Sequence, residues 1–136
     1  MEYRLFNFLP IEAREIREEV FVKEQGFEEE FDSVDNIATH ILAYDENKVV
    51  ATCRFFKQEN YYLIGRIAVI KEYRGSGIGR EMIRYAEEQI KIIGGKEIKI
   101  HAQLRAQGFY TKLGYLSTGD CDYDEGCEHI WMKKNI

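Results

Sequence analysis

The sequence predicts a mixed α/β fold with the element order β-α-β-β-β-α-β-α-β-β. Three observations carry this. Residues 61–70, YYLIGRIAVI, are an apolar strand-type run leading through a glycine-rich turn into an amphipathic stretch at 78–93 and then a second strand-type run, KEIKIHA. That βαβ unit makes its two strands parallel with a right-handed crossover. Turn signals at Asn47 and at Asp124–Gly126 each separate two further strand-type runs, so antiparallel hairpins flank the parallel pair.

The elements follow in order. EYRLFNF alternates in strand fashion with Tyr3, Leu5 and Asn7 on one side. Pro10 stands where a first helical turn tolerates proline, and IEAREIREEVFVKEQ places Ile11, Ile16, Val20 and Phe21 along one stripe. After Gly26 an acidic stretch reads as loop or short helix. ATHILAYDE, KVVATCRFFKQ and YYLIGRIAVI form an antiparallel meander, turning at Asn47 and at Gln58–Asn60. In the second helix Ile78, Met82, Ile83, Ala86, Ile90 and Ile93 recur at three- and four-residue spacing until Gly94-Gly95. KEIKIHA is a short strand, LRAQGFYTKLG a short helix, and YLSTGDCDY with EHIWMKK the closing hairpin.

Residues 1–136 read as a single domain, long enough to bury one core without disulfides. Apolar residues make up 45% and charged residues 32%, and no run is long enough to span a membrane. No signal peptide is evident, so the expected location is cytoplasmic, with no membrane partner. The net charge of −5 argues against a nucleic-acid partner, which would need a basic stripe. Cys53, Cys121 and Cys127 are too sparse for a disulfide framework. Cys121 and Cys127 with His129 match no usual zinc spacing and lack a fourth ligand, so no metal is expected. Charge is unevenly spread: EQGFEEEFDSVD at 24–35 holds six carboxylates, whereas 65–84 holds five basic residues against two acids.

That basic segment contains Arg74-Gly75-Ser76-Gly77-Ile78-Gly79-Arg80. The start of a helix offers unpaired N–H groups and the positive end of the dipole. Glycines let the backbone approach an anion closely, and arginines suit phosphate oxygens. The loop therefore reads as a phosphate or pyrophosphate cradle. It is not a Walker A loop, since Gly79 is followed by Arg80 and Glu81. Nor is it a dinucleotide fingerprint, because the sixth residue from Gly75 is Arg80 and from Gly77 is Met82.

It does fit Arg/Gln-x-x-Gly-x-Gly/Ala, and in this it resembles the acyl-coenzyme A loop of the GNAT superfamily of N-acetyltransferases. Gln103-Leu104-Arg105-Ala106-Gln107-Gly108-Phe109-Tyr110-Thr111-Lys112-Leu113-Gly114-Tyr115 resembles the family's Asn-x-x-Ala-x-x-φ-Tyr-x-x-x-Gly-Tyr/Phe segment, with Gln103 in place of asparagine. EVFVKEQGF, ATH, IHAQ and EHIWMKK resemble the ElaA-like subgroup of small bacterial acetyltransferases. The resemblance spans essentially the whole chain and implies the GNAT acyl-CoA N-acyltransferase fold, with its parallel strand pair splayed apart.

It further implies direct transfer of an acetyl group from acetyl-CoA, as cosubstrate, to a primary amine of a small molecule. Residues 74–80 would hold the pyrophosphate, with Gln103 and Phe109 beside the coenzyme. Ile67, Ala68 and Val69 would offer main-chain hydrogen bonds to the pantetheine arm, an N–H near Val69 polarising the thioester. Tyr110 matches the family's proton donor, a phenol of pKa about 10 that stays protonated at neutral pH.

The base is open among Glu24, His101, Glu125 and His129, with Glu24 and His101 carried forward as catalytic candidates; His40 is placed like the strand histidines. The acceptor is open too. The acidic stretch suits a polyamine or lysine-like amine, while Arg17, Arg54 and Arg105 suit the carboxylate or phosphate of an amino acid or phosphorylated aminosugar. Rival readings are acetylation of protein lysines or N-termini, and a non-catalytic acyl-coenzyme A sensor. Homodimers are common in the family and symmetric pairs are the default oligomer.

Overall fold

A computed structural model describes residues 1–28 and 31–136; Glu29 and Glu30, in the middle of the acidic stretch, lie outside the described residues. Seven strands form one sheet: β1 (Glu2–Phe6), β2 (Thr39–Asp45), β3 (Lys48–Gln58), β4 (Tyr61–Val69), β5 (Glu97–Gln103), β6 (Leu116–Asp124) and β7 (Cys127–Asn135). Their spatial order is β1-β2-β3-β4-β5-β7-β6, with β4 and β5 parallel and the other neighbours antiparallel. The helices are α1 (Ile11–Arg17), α2 (Ile78–Ile92) and α3 (Gln107–Lys112). The mixed α/β architecture and its element order are those expected.

α2 forms because its apolar residues return to one side every three or four positions; Ile78, Met82, Ile83, Ala86 and Ile90 are all buried. They pack on one face of the sheet with Ile41, Cys53, Ile64, Ile98 and Ile100, and with Tyr110, Leu113 and Tyr115 from the α3 region. Burying each such aliphatic side chain contributes about 1.5–3 kcal/mol. The opposite face carries a smaller cluster of Ile16, Val20, Phe21 and Ala68. The sheet is therefore sandwiched between α2 and α3 on one side and the first helical segment on the other.

Several details depart from the expected pattern. The first helix is α for only seven residues and continues as a π-helix over Glu18–Glu24. Ile11, expected on the buried stripe, is exposed, because it opens the helix short of the sheet. Ile93 is exposed as well: α2 ends at Ile92, and Ile93 leaves the helical repeat. On β1, an edge strand, Tyr3 stacks on Tyr85 at 5.0 Å, whereas Leu5 is exposed and Asn7 lies past the strand end.

Two irregularities in β4 position the site. Only Tyr62↔Ile98 and Leu63↔Lys99 pair across the parallel β4–β5 seam; beyond Leu63 the strands separate. On its other side β4 carries a bulge, with Arg66 and Ile67 opposite the single residue Cys53. Arg66 takes φ +51°, an uncommon value for a side chain with a Cβ, and a bulge of this kind bends its strand away from its neighbour.

Behind the bulge lies a buried ion network. Arg17, which is 1% exposed, holds Asp35 through hydrogen bonds of 2.8 and 3.1 Å. Arg54 reaches both Asp32 and Asp35 at 2.7 Å, and His40 Nε2 meets the Asp35 carbonyl at 3.0 Å. Burial would raise the Asp35 pKa, but the two arginines pull it down to about 2. Burial lowers that of His40. The network pins residues 32–36 to α1, β2 and β3.

Candidate active site

The opening of the β4–β5 seam creates a cavity of about 1160 Å³. Its lining includes Ile67–Val69, the whole 74–80 loop, His101, Gln103, Phe109 and Tyr110, together with Arg54, Arg105, Glu125 and His129, whereas Glu24, Arg17 and His40 do not line it.

At one end lies the glycine loop. Gly75 and Gly77 adopt φ of +83° and +86°, the left-handed region where a Cβ is strained. Gly77 is the N-cap of α2, and no side chain among the described residues caps that helix. The first N–H groups of α2 therefore face the cavity mouth without a side-chain partner, as an anion site requires. Gly79 differs: a Cβ there would meet Phe109 Cζ at 3.5 Å and Val69 Cγ2 at 3.7 Å, ordinary contacts. This agrees with a loop pattern that admits alanine at its last position.

Arg74 is engaged within the chain. Its Nε donates to the Val69 carbonyl at 2.9 Å, and its terminal nitrogens grip Glu24 at 2.9 and 3.0 Å. The Arg74 hydrogen bonds hold the Glu24 carboxyl below the usual range. Glu24 is thus a weaker base than an ordinary glutamate.

Tyr110 lines the cavity, 8% exposed, with its ring against Phe109 and Tyr115. Among the described residues its hydroxyl has no hydrogen-bond partner. Burial raises its pKa, with the neighbouring Cys53 adding to the shift. Cys53 itself is pushed up to about 12 by burial. Both groups keep their protons at neutral pH.

The far end is built by β5, β6 and β7. Side chains alternate across a sheet, and the register sets His101 opposite Trp131, Gln103 opposite His129, and His129 opposite Asp122. The His101 ring lies between those of His129 and Trp131, 4.5 Å from each and nearly parallel to both. His101 Nε2 is 2.6 Å from Asp122 Oδ1, a hydrogen bond that lowers the Asp122 pKa. His129, 5% exposed, meets the Cys127 carbonyl through Nδ1 at 2.8 Å. One ring nitrogen of each histidine and a carboxylate oxygen of Asp124 lie within 4.8 Å of one another.

Residues 25–28 strap this end. Gln103 Nε2 donates to Gln25 Oε1 at 2.7 Å, and the Glu28 N–H donates to Glu125 Oε2 at 3.2 Å. Gln103 also accepts from Arg105 Nε at 2.8 Å. Of the arginines considered for gripping an anionic acceptor, Arg17 is buried on Asp35 away from the cavity, and Arg54 lines it but is held by Asp32 and Asp35. Asp122, Asp124 and Trp131 escaped the sequence reading. Their signal was the alternate spacing 122/124 against 129/131, which acquires meaning only with the hairpin register.

A mixed sheet opened at its parallel seam, with an uncapped glycine-rich helix start at the gap, defines an acyltransferase of the N-acyltransferase fold. The chain belongs to the GNAT family: the family model described as "Acetyltransferase (GNAT) domain" matches residues 11–136. The Bacillus subtilis protein YyaT is 37% identical over 130 residues, covering 92% of this chain and 88% of its own. Among solved structures, one from Lactobacillus plantarum superposes with a TM-score of 0.88 at 28% identity, covering 99% of both chains. Escherichia coli ElaA superposes with a TM-score of 0.87 at 24% identity, covering 98% of this chain and 99% of its own. An aminoglycoside 6'-N-acetyltransferase crystallised with coenzyme A shares the fold at a TM-score of 0.77 and 15% identity, covering 99% of this chain and 97% of its own. Among the described residues no helix is long and apolar enough to cross a membrane.

Proposed function

We propose that this GNAT domain transfers an acetyl group from acetyl-CoA to the primary amine of a small molecule, both substrates being bound at once. The observation that carries the reading is the continuity of one cavity from the uncapped start of α2, through the open β4–β5 seam, to Tyr110 and His101. Acetyl-CoA would supply the activated thioester. The N–H groups at 77–80, with Arg74 and Arg80, would hold its pyrophosphate. The free β4 edge at Ile67–Val69 would align the pantetheine arm, and a main-chain N–H near Val69 would polarise the thioester carbonyl.

Tyr110 would protonate the departing sulfur. Its raised pKa keeps the proton available, and among the described residues its hydroxyl has no competing partner. His101, held by the ionised Asp122, suits the base. Glu24, tied to Arg74, does not. No step requires a metal.

Thiol release from acetyl-CoA, measured across small amines and peptides with free amino groups, tests the reading. Release with small amines supports it, and release with peptides alone moves the acceptor class to proteins. Coenzyme binding without release from any acceptor would make the chain a sensor.

A further inference from the structure

We propose that His101, His129 and Asp124 form a three-point cradle for the acceptor's primary ammonium group, with Asp122 as the positioning residue behind His101. This rests on the acetyltransfer reading and names the acceptor class the site takes: amines that present three N–H donors on the reacting nitrogen.

One ring nitrogen of each histidine and a carboxylate oxygen of Asp124 lie within 4.8 Å of one another. An ammonium donating three hydrogen bonds of about 2.8–2.9 Å sets its acceptors about 4.6–4.7 Å apart, so one nitrogen can reach all three groups. The two imidazoles stack with centroids 4.5 Å apart, and both rings line the same cavity.

The hydrogen-bond directions agree. A carbonyl oxygen only accepts, so His129 Nδ1 must donate to Cys127, and Nε2 of this nearly buried ring is left as an acceptor with no partner among the described residues. His101 Nε2 donates to the ionised Asp122, which leaves its lone pair on Nδ1. Asp124 lines the cavity and brings the negative charge that a cation needs. The cradle therefore offers one acceptor nitrogen from each neutral-form imidazole and the carboxylate of Asp124.

The nitrogen must lose two protons in the reaction. His101 takes the first, and its imidazolium is stabilised by Asp122 and by the Trp131 face. The freed lone pair forms the C–N bond as the C–S pair departs to sulfur. Tyr110 gives its proton to that sulfur and regains one from the new amide nitrogen through solvent. One proton is released overall, on His101. The charged and titratable groups facing His101 are Asp122 and Asp124 from β6 and His129 from β7. Glu125 of the turn, Arg54 of β3, Arg66 of β4 and Arg105 share its cavity.

The test pairs kinetics with NMR. With n-butylamine and its N-methyl derivative as acceptors, kcat/KM should fall at least tenfold on methylation, because one acceptor loses its partner. In Asp124→Asn that discrimination should shrink towards unity as KM for butylamine rises at least fivefold, with coenzyme binding unchanged. Asp122→Asn should move the acid limb of the kcat–pH profile to lower pH, because the imidazolium loses the carboxylate beside it, a change that a purely structural role would not produce. The chain has three histidines, so ring-proton spectra of the coenzyme-loaded protein are readily assigned. Butylammonium should shift His101 and His129 and leave buried His40 unmoved. Turnover without those shifts, or undiminished discrimination in Asp124→Asn, overturns the cradle and leaves acetyltransfer standing. Shifts without turnover keep the ammonium site and overturn acetyltransfer.

Discussion

Arg74 and Glu24 face each other in a bidentate pair, 2.9 and 3.0 Å long, at the mouth of the cavity where the coenzyme's pyrophosphate would enter. Both side chains are partly exposed, so the pair contributes little stability, below about 1 kcal/mol. It does occupy a guanidinium otherwise available to phosphate. Glu24→Gln should therefore tighten coenzyme A binding two- to fivefold, read by calorimetry, and should make the affinity more salt-sensitive. Weaker binding in that variant would mean that Glu24 presets the loop instead of competing for it.

Tyr110→Phe removes one oxygen from a buried ring and leaves its packing intact. Turnover should drop by about 10- to 1000-fold while the thermal shift produced by coenzyme A stays within error of the parent. A variant with normal turnover would take Tyr110 out of the chemistry.

The loop glycines should part company. Gly77→Ala forces a Cβ into φ +86°, at a cost of about 1–2 kcal/mol, and should weaken coenzyme binding along with stability. Gly79→Ala meets only ordinary contacts and should be nearly silent in both. Equal sensitivity at the two positions, measured by urea unfolding, would contradict the loop geometry described above.

Acid should unfold the protein in two stages. His40 has a lowered pKa in the folded state, so its contribution is complete above about 6.5 and is lost as pH falls through its folded value. Asp35 is pulled down to about 2. Its share, on the order of 2 kcal/mol, is present above about pH 4 and is lost between there and pH 2. Asp35→Asn should start less stable and show a flatter urea midpoint across that lower window. Parallel curves for variant and parent would remove the Arg17–Asp35–Arg54 network from the acid response.

The strands, α2 and the glycine loop were readable because local pattern dictates them: Ile78, Met82, Ile83, Ala86 and Ile90 can share a face only in a helix. The residues proposed to hold the donor are contiguous, 74–80 and 103–115, and could be read from local pattern. Those proposed for the acceptor could not. His101, Asp122 and Trp131 are brought together only by the β5–β7–β6 register, and no local spacing reveals that. The π-helix at Glu18–Glu24 was equally hidden, since its apolar spacing also fits an α-helix. The acidic stretch suits a cationic amine by its charge, yet Asp32 and Asp35 are held by arginines that lie far along the chain from them.

The two-rung seam between β4 and β5 also bears on how the molecule breathes. Four strands on one side and three on the other are stitched through Tyr62–Ile98 and Leu63–Lys99, and the rest of that boundary is unzipped. Amides along the facing edges lack the protection that an unbroken ladder gives, so deuterium should enter Ile64–Val69 sooner than it enters the middle of β3. A pantetheine arm lying in the gap would take the place of the missing rungs and slow exchange on both banks at once. The substrate would then be a temporary member of the sheet, and its departure would return the two halves to independent motion.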